Sequence, residues 1–269
     1  PRVPPQLVDV EHYDPVVGGA WTDAKGRTHP SMGLMHMRNL IKRTAIMHWQ
    51  AGRGQPASRL PFIQLSHMTN TMIAPVLSFG NCNMDWEWRY GYRDFQDRVS
   101  ADLTVAQSIG RQVGAWGTVL GGGHPKPDDP RTAFMRRTRA GVCLVHEIQH
   151  WGRHPQWERD LYRKLYEFGY GREDCRVYNY WQKGHPVSVS GEGVDARTLV
   201  IARGGAAVVV LTSYGEGGEC RVRLDRKKLA LPAGATASDL ESGKAVRRVG
   251  PGEFTFSLKK HDFKVLEVR

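Results

Sequence analysis

Cysteine is scarce in this chain: four in 269 residues, at Cys82, Cys143, Cys175 and Cys220, with no CxxC pair among them. Such spacing excludes a zinc ribbon, a thioredoxin-type redox motif and a disulfide-dense scaffold. The settings "GVCLV" and "FGNCN" are those of buried thiols. No apolar run approaches the roughly 20 residues that cross a bilayer, so no membrane helix is expected. A long basic tract is also missing. The 38 Lys and Arg outnumber the 27 Asp and Glu and leave a net charge of +11, but they are scattered, with only short clusters at Met135–Arg139 and Asp225–Lys228. With no nucleic-acid motif beside them, no nucleic-acid partner is expected. The opening "PRVPPQLVDV" has neither the basic start nor the apolar stretch of a signal peptide. No repeat or low-complexity tract is present.

What the first two thirds do contain is alternation of short apolar runs with helical patterns. "PQLVDVEHY" (5–13), "PFIQLSHM" (61–68), "CNMDWEW" (82–88) and "GAWGTVL" (114–120) read as strands. Between and after them, "GLMHMRNLIKRTAIMHW" places Leu34, Met37, Ile41 and Ile46 near a 3.6-residue period. "SADLTVAQSIGRQV" has Ser100 as its N-cap, and "RTAFMRRTRAGVCLVHEIQHW" continues the helical pattern to Trp151. Strands alternating with helices predict βα units and a parallel sheet. From Val177 onward the texture is apolar strands parted by Gly turns, ending in the alternation Phe254, Phe256, Leu258 and then Phe263, Val265, Val268. That pattern predicts an antiparallel β-sandwich without helices.

The runs "DVEHYDPVVGGAWTDAKGRTHPSMGLMHMRNLIKR", "QLSHMTNTMIAPVLSFGNCNMDWEW", "LVHEIQHW" and "LYEFGYGREDCRVYNYW" together resemble the C-terminal part of a bacterial glycoside-hydrolase-like family related to glycoside hydrolase family 123. The resemblance covers nearly the whole chain. It implies an α/β protein, the C-terminal part of a (β/α)8 TIM-type barrel (1–176) followed by an antiparallel β-sandwich domain (177–269). It further implies a glycan substrate, hydrolysis of a glycosidic bond, no cofactor, and a secreted or periplasmic bacterial protein.

Glycosidic cleavage needs a protonated carboxylic acid beside the leaving oxygen and a second group at the oxocarbenium-like centre. Barrel active sites are built at the C-terminal strand ends. The candidate catalytic carboxylates are therefore Asp85 and Glu87 in "MDWEW" and Asp9 and Glu11 in "VDVEHY". Two residues apart on a strand, each pair shares a face. Family 123 uses an adjacent Asp–Glu pair in substrate-assisted cleavage; here one residue separates the two carboxylates in both pairs. His67, Asn70, Trp86, Trp88 and Trp116 are the candidate substrate-binding residues, the indoles because a sugar's apolar face stacks on them.

Two other readings compete. "HEIQH" at His146–His150 has the H-E-x-x-H spacing of a zinc peptidase, with Glu158, Glu167 or Glu173 as possible third ligands. Gly152 and His154 come too early to complete the longer metzincin motif, and the stretch is expected to be structural, with no metal bound. The third reading is a noncatalytic glycan-binding or structural protein. Before the sandwich there are four strand candidates, beginning at Pro5, Pro61, Cys82 and Gly114, where a full barrel needs eight. Pro1 is thus expected to be internal to a longer product, with the missing half of the barrel as a partner fragment or subunit.

Overall fold

The computed structural model describes residues 20–30, 34–51, 64–67, 79–85, 93–107, 116–119, 129–152 and 154–269. The chain divides into two compact units, Pro1–Asn83 and Met84–Arg269. Its content is mixed α/β.

In the first unit, β1 (Ala20–Thr22) and β2 (Thr28–Pro30) pair antiparallel. Asp23 closes their turn, its Oδ1 accepting from the backbone N–H groups of Lys25 at 2.9 Å and Arg27 at 3.0 Å. Helix α1 spans Leu34–Ala51, as the periodicity predicts, and Ile41 is buried. Ile46 is 42% exposed, so the apolar stripe is narrower than its spacing implies. Strand β3 is Leu65–His67, and the strand β4 (Cys82–Asp85) begins beside it, with Cys82 N–H donating to the Gln64 carbonyl at 3.2 Å.

The second unit begins with the end of β4. Two helices follow, α2 (Phe95–Arg98) and α3 (Ala101–Gln107). Ser100 caps α3, accepting from Leu103 N–H at 3.2 Å. Strand β5 (Trp116–Val119), helix α4 (Pro130–His146), the short strand β6 (Gln149–His150) and helix α5 (Gln156–Phe168) come next. β5 and β6 run parallel, with Thr118 opposite Gln149 and Val119 opposite His150. Asp129 caps α4 through Arg131 N–H at 2.8 Å, with Pro130 in the first helical position, where its missing N–H costs nothing.

Strands β7 (Arg176–Asn179), β8 (Val187–Ser190), β9 (Ala196–Arg203), β10 (Ala206–Ser213) and β11 (Gly217–Leu224) follow. A one-turn helix α6 (Arg226–Leu229), absent from the sequence reading, precedes β12 (Ala237–Asp239), β13 (Arg247–Gly250), β14 (Glu253–Lys259) and β15 (Phe263–Val268). They form a five-stranded sheet in the order β12-β15-β10-β9-β7 and a four-stranded sheet in the order β13-β14-β11-β8, and the strand pairs recorded in both are antiparallel.

Strand β10 shows how the layers are held. Its side chains alternate between two cores. Ala207, Val209 and Leu211 join Val222 and Phe254 of the four-stranded sheet in one cluster. Val208 and Val210 join Leu144 of α4 and Leu161 and Leu165 of α5 in another. The two helices therefore cover the outer face of the five-stranded sheet, and a strand buried on both faces reads as the unbroken apolar run "AAVVVL". Gly141 permits the close approach: a Cβ there would lie 2.7 Å from Phe263 Cβ and 2.8 Å from Thr212 Oγ1.

Candidate functional site

The H-E-x-x-H stretch does not lie on one helix. Helix α4 ends at His146, and Glu147 takes the left-handed conformation with φ 57°. Glu147 N–H donates to the Leu144 carbonyl at 3.3 Å and Ile148 N–H to the Cys143 carbonyl at 3.0 Å, the bond pattern of a Schellman motif. The sequence gives no warning of this break, because glycine is the usual residue at such a position. His150 then falls on β6. The i, i+4 face that a zinc peptidase requires is thereby lost, and the peptidase reading is corrected.

Both ring nitrogens of His146 are already engaged. Nδ1 lies 2.8 Å from the Val142 carbonyl and Nε2 lies 3.0 Å from the Tyr180 hydroxyl. A carbonyl only accepts, so Nδ1 carries the proton and Tyr180 donates to Nε2. Trp181 stacks on the ring at 5.9 Å, and burial lowers the pKa of His146 to about 4. Glu147, the general base of a peptidase, instead accepts from Tyr170 Oη at 2.9 Å and from Asn179 Nδ2 at 3.0 Å. His146 and Glu147 are structural ties.

The parallel register of β5 and β6 defines one strand end. Trp151 N–H continues the ladder by donating to the Val119 carbonyl at 2.8 Å, and the Trp151 side chain is 55% exposed. Just beyond it, the strand end, the following loop and the first turn of α5 bring His150, His154 and Glu158 together. His150 Nε2 lies 2.9 Å from both carboxylate oxygens of Glu158, and His154 Nδ1 lies 3.2 Å from Glu158 Oε1. The two imidazoles are 3.9 Å apart between ring centroids. Glu158 and His150 are buried at 1% and 4% exposure, whereas the His154 side chain is 27% exposed.

Arg139 fixes the protonation of this cluster. Its Nη2 lies 3.3 Å from His150 Nδ1, and a guanidinium only donates, so Nδ1 accepts and the ring proton sits on Nε2, facing Glu158. Burial holds the His150 pKa down, more than the Glu158 carboxylate raises it. Burial works to raise the Glu158 pKa, but the hydrogen bonds from His150 and His154 carry it below the ordinary carboxylate range. Neutral His150 thus donates to an ionised Glu158. Donor atoms of His150, His154 and Glu158 all lie within 4.8 Å of one another, a spacing open to a metal ion. Asp94, Asp97 and His261 form a second such group among the described residues, but there Arg131 occupies Asp94 Oδ1 at 2.7 Å.

Of the residues marked from the sequence, Asp85 closes β4 and His67 closes β3, both at the C-terminal end of a strand. Trp116 opens β5, three residues before Val119. Asp9, Glu11, Asn70, Trp86, Glu87 and Trp88 lie outside the described residues. The sequence reading missed the His150–His154–Glu158 group, although the spacing of four was visible. Pro155 precedes α5 and separates the histidines from the helix, so the grouping arises from a strand-to-helix turn.

No family model matches the chain, and no curated protein matches it. Solved structures similar to it include a noncanonic maltogenic α-amylase from Thermotoga neapolitana, 11% identical over 93% of this chain and 72% of that one, with a TM-score of 0.44. A GH27 β-L-arabinopyranosidase from Geobacillus stearothermophilus is 14% identical over 72% of this chain and 46% of that one, with a TM-score of 0.45. A GH30 endoxylanase from Clostridium papyrosolvens is 10% identical over 88% of this chain and 61% of that one, with a TM-score of 0.46. These similar structures are glycoside hydrolases. The chain spans less than two thirds of the length of the second and third.

Proposed function

We propose that this chain is the C-terminal part of a carbohydrate-active enzyme that hydrolyses a glycosidic bond, with residues 1–176 belonging to a (β/α)8 barrel and 177–269 to a β-sandwich. The observation that carries the reading is the parallel pair β5–β6, whose second strand passes through a short loop into α5. This is a βα unit of the kind whose strand ends form a barrel mouth. Asp85 closes β4 at the C-terminal end that such a mouth requires. The two antiparallel sheets sharing one core support the sandwich.

In this reading Glu87 is the acid at the leaving oxygen and Asp85 orients or stabilises the reacting group, with Asp9 and Glu11 as the second candidate pair. His67, Asn70, Trp86, Trp88 and Trp116 contact the sugar. The remaining half of the barrel is supplied by a longer product or a partner, and the protein works outside the bacterial cytoplasm. The test is hydrolysis of a panel of aryl glycosides and polysaccharides by the protein with every chain that accompanies it. Glu87→Gln is expected to lower turnover by about 100-fold or more, the contribution of a positioned general acid.

A further inference from the structure

We propose that His150, His154 and Glu158 form a binding site for a zinc-class divalent ion, which takes His150 from the H-E-x-x-H stretch but neither His146 nor Glu147, and is independent of any glycan activity. Two imidazoles and one carboxylate are a donor set that zinc accepts, with a fourth position left for water. An ion about 2.1 Å from each donor would space tetrahedral donors about 3.4 Å apart. The separations from Glu158 are already close to that, 2.9 Å to His150 Nε2 and 3.2 Å to His154 Nδ1. Small outward movements suffice. The partly exposed His154 gives the ion a way in, while Glu158 supplies a buried negative charge.

The ion would bind His150 at Nε2 and move the ring proton to Nδ1, where it meets Arg139. That contact, 3.3 Å long, lies at the outer limit of hydrogen bonding and must open. Arg139 is thus the competitor that sets the affinity. Bound metal would pin the end of β6 to the first turn of α5.

The experiment is zinc titration of the full chain after chelator treatment, read by competition with a zinc-binding dye and by thermal unfolding with and without zinc. One zinc per chain is expected, with a rise in the unfolding temperature that follows zinc concentration. His154→Ala, at the partly exposed ligand, should fold as wild type without metal and lose zinc affinity by more than about 100-fold, beyond the 10- to 100-fold cost of losing an outer-shell partner. Arg139→Gln offers an amide oxygen to Nδ1–H and should bind about tenfold more tightly. Glu167→Ala, on the exposed side of the same helix, should change nothing. No tight zinc in the wild type, or uptake that His154→Ala leaves intact, would overturn the site. Weaker or equal binding in a folded Arg139→Gln protein would overturn the Nε2 assignment.

Discussion

Tyr180 donates its hydroxyl to Nε2 of His146 across 3.0 Å, and the opposite nitrogen is engaged by Val142. Protonating His146 forces the Tyr180 hydroxyl to turn from donor to acceptor and places a charge on a ring only 3% exposed. Its folded pKa of about 4 lies below the ordinary 6.5, so the unfolded chain binds more protons between those values. Stability is accordingly full above pH 6.5 and falls as pH drops toward 4, by about 3 kcal/mol from this group. His185, also lowered to about 4 by burial, acts in the same direction. Urea midpoints measured from pH 7 to pH 5 should fall steadily; a flat profile would contradict the neutral, bonded His146.

Glu147 poses a contest between backbone and side chain. Glycine would relieve a left-handed φ of 57°, worth about 1 kcal/mol. It would also delete the bonds from Tyr170 and Asn179 to the carboxylate, about 1.5 kcal/mol or more each. The side chain wins, and Glu147→Gly should destabilise by about 2 kcal/mol in chemical denaturation. A stabilised variant would show that the carboxylate contacts contribute little.

Gly141 sits where α4 meets the five-stranded sheet. Alanine gains about 1 kcal/mol of helix propensity, but its Cβ would meet Phe263 Cβ at 2.7 Å, an atom fixed to the β15 backbone. Gly141→Ala should therefore cost about 1–3 kcal/mol net, as overpacking does. A rise in the unfolding temperature would mean that α4 is free to retreat.

The sequence makes some of this architecture visible and conceals the rest for identifiable reasons. Helix α1, the Ser100 cap and strands β4 and β5 follow from periodicity and capping chemistry, which are local. The end of α4 at His146 does not, since Glu147 is held in a glycine-like conformation by Tyr170 and Asn179, far along the chain. Helix α5 carried a readable signal in the buried Leu161 and Leu165 and the terminal Gly169, with φ 118°. The apolar strands β9 and β10 were readable as strands, but not the covering of their outer face by α4 and α5, because burial on two faces erases the alternation that marks a single core. Strand-end carboxylates could be sought by residue type, whereas the His150–His154–Glu158 group exists only once the chain turns at Pro155.

The central claim is that this chain belongs to an enzyme cleaving glycosidic bonds with strand-end carboxylates. Its most direct test is the release of product from the glycoside and polysaccharide panel by the native assembly, compared with Glu87→Gln and Asp85→Asn in the same assembly. The account predicts hydrolysis of at least one glycan, lowered by about 100-fold or more in each variant while folding is retained. An assembly that cleaves no glycan, or cleavage that both substitutions leave unchanged, would contradict it.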